Sequence, residues 1–270
     1  MCRMIAAVGR FSMSDLVSAV RVMAQNAAPG HEHELSPRGP EFRHDSGWGA
    51  LYVSGGRLVR VRSTVPCFDD PRFDALASVE TELAIVHARR AKNLRTISGP
   101  NTHPFLAVYR GEEWAFCHNG EVRDLSQLSW DPALAPEGST DSEKLFLHLL
   151  TALGGPAPAG AGSGGPPGAG DGSAVPAAVC RTLAAIEDFT CVNCFLARRD
   201  SIVAATRYAP GSPTPRYYTM WSAGLDSAGD GCAVVSSEPI RSMDVAWQPV
   251  EDGSVLLLTR PARRERAHGH

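Results

Sequence analysis

The chain opens Met1-Cys2-Arg3-Met4-Ile5-Ala6-Ala7-Val8-Gly9-Arg10-Phe11. Residues 3–11 are apolar and β-branched enough for an opening strand, and a cysteine in second position stands at its head. The enzyme that trims initiator methionine accepts a small second side chain, so loss of Met1 would make Cys2 the true terminus. Cys2 would then carry a thiol and a free α-amine within reach of each other. The thiol titrates near ~8.5 and the amine near ~7.7–8.0, so a single residue supplies nucleophile and general base. The bland alternative is an accidental, buried cysteine.

Composition narrows the setting. At 270 residues the chain is one large domain or two small ones, and 43% hydrophobic residues is ample for a core. A net charge of −3 leaves no electrostatic footprint for nucleic acid. No apolar run approaches the ~20 residues that cross a bilayer, and the opening apolar stretch is too short for a signal sequence. A cytoplasmic protein, with no nucleic acid or membrane as partner, is the expectation. Seven cysteines, an odd number and widely spaced, argue for free thiols. Cys191-Val-Asn-Cys194 matches a C-x-x-C, but Thr-Cys-Val-Asn-Cys-Phe-Leu-Ala reads as a strand, and residues three apart on a strand face opposite ways. No metal site is expected there.

Outward from the first strand, helical spacing of Leu16, Val20 and Met23 predicts a helix over 14–25 with Ser14 as a candidate cap. Strands are predicted over 50–53 and 58–62 around Ser-Gly-Gly, over 83–87, and over 105–109 and 114–117 around Arg-Gly-Glu-Glu. A helix over 144–153 follows Ser139-Thr140-Asp141-Ser142-Glu143. Residues 154–178 are almost wholly Gly, Pro, Ala and Ser and are expected to be a disordered surface insertion. Beyond it come a helix over 179–186 and strands over 192–197, 202–208, 233–236 and 255–259. Residues 1–260 are taken as one domain, with a basic flexible tail at 261–270. Many short strands and few helices make an α+β architecture of layered sheets.

Seven motifs follow one another: Met1-Cys2-Arg3, His44-Asp45-Ser46-Gly47-Trp48-Gly49, His87-Ala88-Arg89-Arg90-Ala91, Asn101-Thr102-His103-Pro104-Phe105, His118-Asn119-Gly120-Glu121, Ser139 to Glu143, and Ser236-Ser237-Glu238-Pro239-Ile240 followed by Trp247. In this order the sequence resembles the class II glutamine amidotransferases, whose catalytic domains begin Met-Cys and belong to the N-terminal-nucleophile (Ntn) hydrolases. The resemblance covers about residues 1–250 apart from the insertion. It implies a four-layer αββα sandwich and a cysteine-dependent amidohydrolase that cleaves the γ-amide of glutamine, or of a γ-glutamyl amide, through a thioester on Cys2. No cofactor is implied.

Each candidate residue has a functional and a structural reading. Asn119-Gly120 is either a type I′ hairpin turn or an oxyanion hole made by the Asn119 amide and the Gly120 N–H; the family uses the pair for the latter. Arg89 would grip the substrate α-carboxylate through its bidentate fork, or be a surface arginine at a strand end. Alternation puts it on the face of Ile85 and His87, with Arg90 on the other. Asp141 lies within a Thr140-x-x-Glu143 capping box, and in the family the matching Asp takes the α-ammonium. His103 is expected to shape the pocket. Trp48 either lines the pocket or belongs to the core, and His44 and His118 are expected to be structural. Lys92 stands where family members often carry Thr, which puts substrate identity in doubt. The enzyme either acts alone, resembling the γ-glutamyl hydrolase of the ergothioneine pathway, or is a glutaminase subunit feeding ammonia to a separate synthase. A non-catalytic binding or regulatory protein of the same fold is the remaining alternative.

Overall fold

The computed structural model describes residues 2–26, 42–154, 174–212, 215–224 and 232–260. Among the described residues twelve strands are formed. They are β1 (Arg3–Ser12), β2 (Trp48–Ser54), β3 (Arg57–Ser63), β4 (Glu80–Ala88), β5 (Phe105–Tyr109), β6 (Glu112–Val122), β7 (Phe189–Ala197), β8 (Ser201–Ala205), β9 (Trp221–Gly224), β10 (Ala233–Ser236), β11 (Gln248–Pro249) and β12 (Val255–Thr259). Five α-helices among the described residues accompany them: α1 (Ser14–Ala24), α2 (Pro71–Ala75), α3 (Asp141–Leu153), α4 (Ala174–Ala184) and α5 (Pro215–Tyr218). No helix among the described residues is long and apolar enough to cross a membrane.

The strands make two antiparallel sheets, a seven-stranded one in the order β11-β9-β10-β1-β4-β2-β3 and a five-stranded one in the order β12-β8-β7-β6-β5. Three apolar clusters fill the spaces between layers. Ile5, Ala7, Ala84 and Val86 pack with Leu16, Val20 and Met23 of α1. Met4, Ala6, Val8, Leu83 and Ile85 meet Ala115, Cys117 and Phe195 of the second sheet. Phe116, Val192, Cys194 and Leu196 pack with Leu145, Leu149 and Leu183 of α3 and α4. Alternation along β1, β4, β6 and β7, interrupted by register shifts between Val8 and Phe11 and between Gly120 and Val122, sorts the side chains, because successive residues of a strand face opposite sides. The result is helix, sheet, sheet, helix, the four-layer αββα sandwich of the sequence expectation.

Local chemistry explains most boundaries. Gly55 and Gly56, both at positive φ, form the two-residue hairpin turn between Ser54 and Arg57, as a type I′ turn requires. Arg110 and Gly111 do the same between Tyr109 and Glu112. That turn is two residues shorter than the expected Arg-Gly-Glu-Glu loop, and β6 runs on to Val122 rather than stopping at Cys117. Helix α1 is not capped by Ser14. Its N-cap is Met13, which makes no side-chain cap bond, and Ser12 Oγ instead accepts from the Ser14 N–H. Helix α4 begins at Ala174, so residues 174–178 belong to a helix rather than to the insertion. Residues 155–173 of that insertion, the 261–270 tail and Met1 lie outside the described residues.

Candidate functional site

Antiparallel pairing of Arg3 with Ala88 brings Cys2, at the head of β1, opposite Arg89, just past the end of β4. Alternation turns the Cys2 side chain to the inter-sheet face shared by Met4, Ala6 and Val8. Cys2 is half-buried, and its Sγ accepts the Arg90 backbone N–H at 3.4 Å. Cys117 of the facing sheet lies close enough for Cys2 to add to the burial that raises its thiol pKa.

Arg89 is buried, 5% exposed. Its backbone is held by Gly47 O at 2.8 Å and by the Ser46 N–H at 3.0 Å. One guanidinium nitrogen, Nη2, donates to Thr96 O and Oγ1 at 3.2 and 3.1 Å. Thr96 belongs to a 3-10 turn, Leu94–Thr96, capped by Asn93. Among the described residues Nη1 has no partner. A buried cation of fixed geometry with a free donor suits a carboxylate. Burial lowers its pKa, and Cys2 opposes that shift. Arg90 turns away, to Arg43 O and Asp45, and packs over the Phe42 ring at 4.7 Å. The pair is divided as alternation predicted.

Asn119 and Gly120 are not a hairpin turn. Both lie within β6, paired with Asn193 and Val192 of β7, and the register slips between Gly120 and Val122. Gly120 has φ +133°, and a Cβ there would sit 1.8 Å from Cys191 O. The close approach that demands glycine is therefore to β7. Asn119 is 1% exposed, on the inter-sheet face with Ala115 and Cys117. Its Nδ2 reaches Ser237 Oγ at 3.5 Å, and Ser237 Oγ accepts the Met4 N–H at 3.0 Å. Asn119 is thereby tied to a residue two places from Cys2.

Asp141 stands at the start of α3, where Oδ2 accepts the Val122 N–H at 2.9 Å, just past the register slip. Thr140 caps the helix by accepting from Glu143 N. Glu143 does not complete the box; its carboxylate accepts from Glu137 N and Gly138 N at 2.7 Å each. Asp141 also faces His118 and raises its pKa against a larger effect of burial. His118 is held at both nitrogens, by Ser142 Oγ at 2.9 Å and Cys191 O at 3.1 Å, in the structural role expected.

His103 lies between two rings, tilted against His87 with centroids 4.3 Å apart and edge-on to Phe105 at 4.6 Å. Burial, with nearby His87, His118 and Arg89, holds the His103 pKa well below its usual value. Burial and Arg89 lower that of His87 to about 3. Burial thus favours the neutral form of both rings in the fold. In the unfolded chain the rings titrate near ~6.5, so between that pH and about 3 the unfolded state binds more protons. Stability is then full above ~6.5 and falls as the pH drops through the window. Urea unfolding at pH 7, 5.5 and 4 should show a steadily falling midpoint; a flat profile would mean the rings are not buried as neutral groups.

Trp48 takes the core alternative. It is fully buried against Phe73 at 5.0 Å, its Nε1 donates to Asp70, and it belongs to the cluster beneath α1. That is the opposite face of the sheet from Cys2, so it does not line the site. Cys191 and Cys194 also fall on opposite faces of β7, and the side chain between them with an evident duty is Asn193. Its amide binds Tyr218 O, Thr206 Oγ1 and the Arg207 N–H, fixing α5. Lys92 pairs with Glu121 at 2.8 Å, joining the loop after Arg89 to the residue after Gly120. Five neighbours carried no sequence-based role: Thr96, Ser237, Tyr217 and the buried ion pair of Arg3 with Glu238. Arg3 packs over the Tyr217 ring at 4.6 Å. Burial raises the Tyr217 hydroxyl pKa, and Cys2 is among the groups adding to the shift.

The family model for glutamine amidotransferases class-II matches residues 33–207, a span containing Arg89, Asn119, Gly120 and Asp141 and starting after Cys2. A Haemophilus influenzae protein provisionally named a glutamine amidotransferase is 31% identical over 108 residues, 39% of this chain and 36% of that protein. Escherichia coli YafJ, provisionally named likewise, is 30% identical over 112 residues, 41% of this chain and 43% of YafJ. The chain thus matches less than half the length of these curated relatives. Among solved structures, a predicted glutamine amidotransferase from Pseudomonas aeruginosa aligns with TM-score 0.54 and 16% identity over 97% of this chain and 95% of its own. The glutamine phosphoribosylpyrophosphate amidotransferase of Bacillus subtilis aligns with TM-score 0.59 and 17% identity over 96% of this chain and 47% of its own. At these identities the structural likeness is one of fold, the fold of the Ntn hydrolases.

Proposed function

This chain belongs to the class II glutamine amidotransferases, and on that premise we propose that it is an amidohydrolase whose nucleophile is Cys2. The Cys2 thiol gives its proton to the α-amine freed by loss of Met1, and the resulting thiolate attacks the γ-carbonyl of glutamine or of a γ-glutamyl amide. Asn119 and the Gly120 N–H stabilise the oxyanion. Collapse of the tetrahedral species expels ammonia or an amine, which leaves with the proton, and water then hydrolyses the γ-glutamyl thioester. Arg89 holds the substrate α-carboxylate and Asp141 its α-ammonium, while the neutral His103 ring shapes the floor. The observation carrying this reading is Cys2 beside Arg89, a buried guanidinium with a partnerless donor, with Asn119 tethered two residues from the nucleophile.

Intact-mass measurement of active protein tests the premise about the amine. Loss of one methionine is expected, and full activity in protein retaining Met1 would overturn the mechanism. Ammonia release from free glutamine, compared with cleavage of substituted γ-glutamyl amides, separates a glutaminase subunit that serves a synthase from a stand-alone hydrolase.

Substrate recognition has its own test. Arg89→Lys keeps charge but loses the planar fork that reaches Thr96 and the substrate together, and about a tenfold or greater fall in kcat/KM is expected. Asp141→Asn still offers an oxygen to the Val122 N–H but loses the charge, so KM should rise while the melting temperature changes little. A glutamine analogue lacking the α-carboxylate should be a poor substrate for wild type and indifferent to the Arg89 change. Equal losses for both substrates would return Arg89 to a structural role.

A further inference from the structure

The hydrogen-bonding groups around Asn119 leave two polar ends without partners. Asn119 Oδ1 is buried and makes no hydrogen bond among the described residues, while Nδ2 is directed at Ser237 Oγ from 3.5 Å. Ser237 is itself buried, 4% exposed, and its oxygen already accepts the Met4 N–H at 3.0 Å. Its backbone N–H donates to Met4 O at 2.9 Å, which fixes the residue against β1. A hydroxyl has one proton to give, and among the described residues the Ser237 proton meets no acceptor. So an O–H without an acceptor faces an amide whose oxygen lacks a donor.

One rotation satisfies both. The two orientations of a carboxamide have nearly the same shape. Turned by 180°, Asn119 presents Oδ1 to the Ser237 hydroxyl and points Nδ2 into the space where Oδ1 had stood. We propose that Ser237 is a positioning residue that sets this orientation, making Asn119 a donor to the oxyanion. The inference rests on the amidohydrolase reading above. The opposite orientation would aim a carbonyl oxygen at developing negative charge and oppose the reaction. The 3.5 Å separation is long for a hydroxyl bond, and such contacts tighten when substrate is bound. Because Ser237 is anchored to Met4 at both Oγ and N–H, it also registers the amide against the strand bearing Cys2.

The test is a double-mutant cycle read by turnover on glutamine and on a chromogenic γ-glutamyl anilide, with melting temperature as control. Ser237→Ala should lower kcat roughly 10- to 100-fold with KM nearly unchanged, and Ser237→Thr, which keeps the hydroxyl, should recover most of that loss. In an Asn119→Ala background, itself down by about 10²–10³, Ser237→Ala should add almost nothing. A γ-glutamyl aldehyde, which forms a hemithioacetal with a thiol, should bind Ser237→Ala more weakly in the same proportion as kcat falls. Should Ser237→Ala not fold, Ser237→Cys, of similar shape and a weaker donor, carries the same comparison. Unchanged kcat, or an equal loss in both backgrounds, overturns the inference while leaving the amidohydrolase reading intact. A wild-type protein that neither turns over these substrates nor binds the aldehyde overturns both.

Discussion

Cys2→Ala is expected to lower amide hydrolysis by about 10⁴-fold or more, the scale on which removing a nucleophile acts, while the melting temperature stays near that of wild type. The side chain is half-buried, and its described contacts are with the Arg90 backbone, so little packing is lost. Alanine is also small enough for methionine removal, so the terminal amine is retained and only the sulfur goes. Steady-state turnover and a thermal melt of the same preparation decide the matter. Activity within tenfold of wild type would place the nucleophile elsewhere, and Cys117, whose pKa burial raises well above the ordinary thiol value, could not replace it at neutral pH.

Gly120→Ala should show the complementary pattern, a large loss of stability. The new Cβ would lie 1.8 Å from Cys191 O and 2.6 Å from its carbon, at a φ of +133° that L side chains avoid. Strand β7 cannot retreat freely, because it also pairs with β8 and Asn193 is bonded to Thr206 and Arg207. Overpacking and backbone strain together cost about 3 kcal/mol or more, which for a chain of this size lowers the melting temperature by roughly 10 °C. Turnover should fall further than stability explains, since the 120 N–H is displaced along with the strand. A Gly120→Ala protein that melts with wild type would mean that β6 and β7 can separate locally without cost.

The sequence conveyed period and punctuation well. Strands 105–109, 233–236 and 255–259 were legible to the residue because turns or loops bound them closely. The Asn119-Gly120 pair was ambiguous, because a positive-φ glycine signals a tight turn and a strand pressed on its neighbour in the same way. Only the β6–β7 pairing, between residues about seventy apart, distinguishes the two. Trp48 could not be assigned to a face until the register of β2 against β4 was known. Helix α2 was missed although Asp70-Pro71 carries its signal, with the Asp70 side chain accepting from Arg72 N and proline in the first turn. Arg89 and Asp141 were legible as candidates, whereas Thr96 and Ser237 were not. Their roles arise from hydrogen bonds to Arg89, Met4 and Asn119 that no local pattern encodes.

Chain ends are ordinarily where a fold frays and where backbone amides exchange with solvent first. Here β1 lies between β4 and β10 in the interior of the seven-stranded sheet, and Met4, Ile5, Ala6 and Ala7 are fully buried. Their amide protons should exchange with deuterium only when the whole sheet opens, at rates set by global unfolding. Cys2 therefore adjoins a central strand, fully buried from Met4 to Ala7, and its thiol is positioned by that strand rather than by a loop.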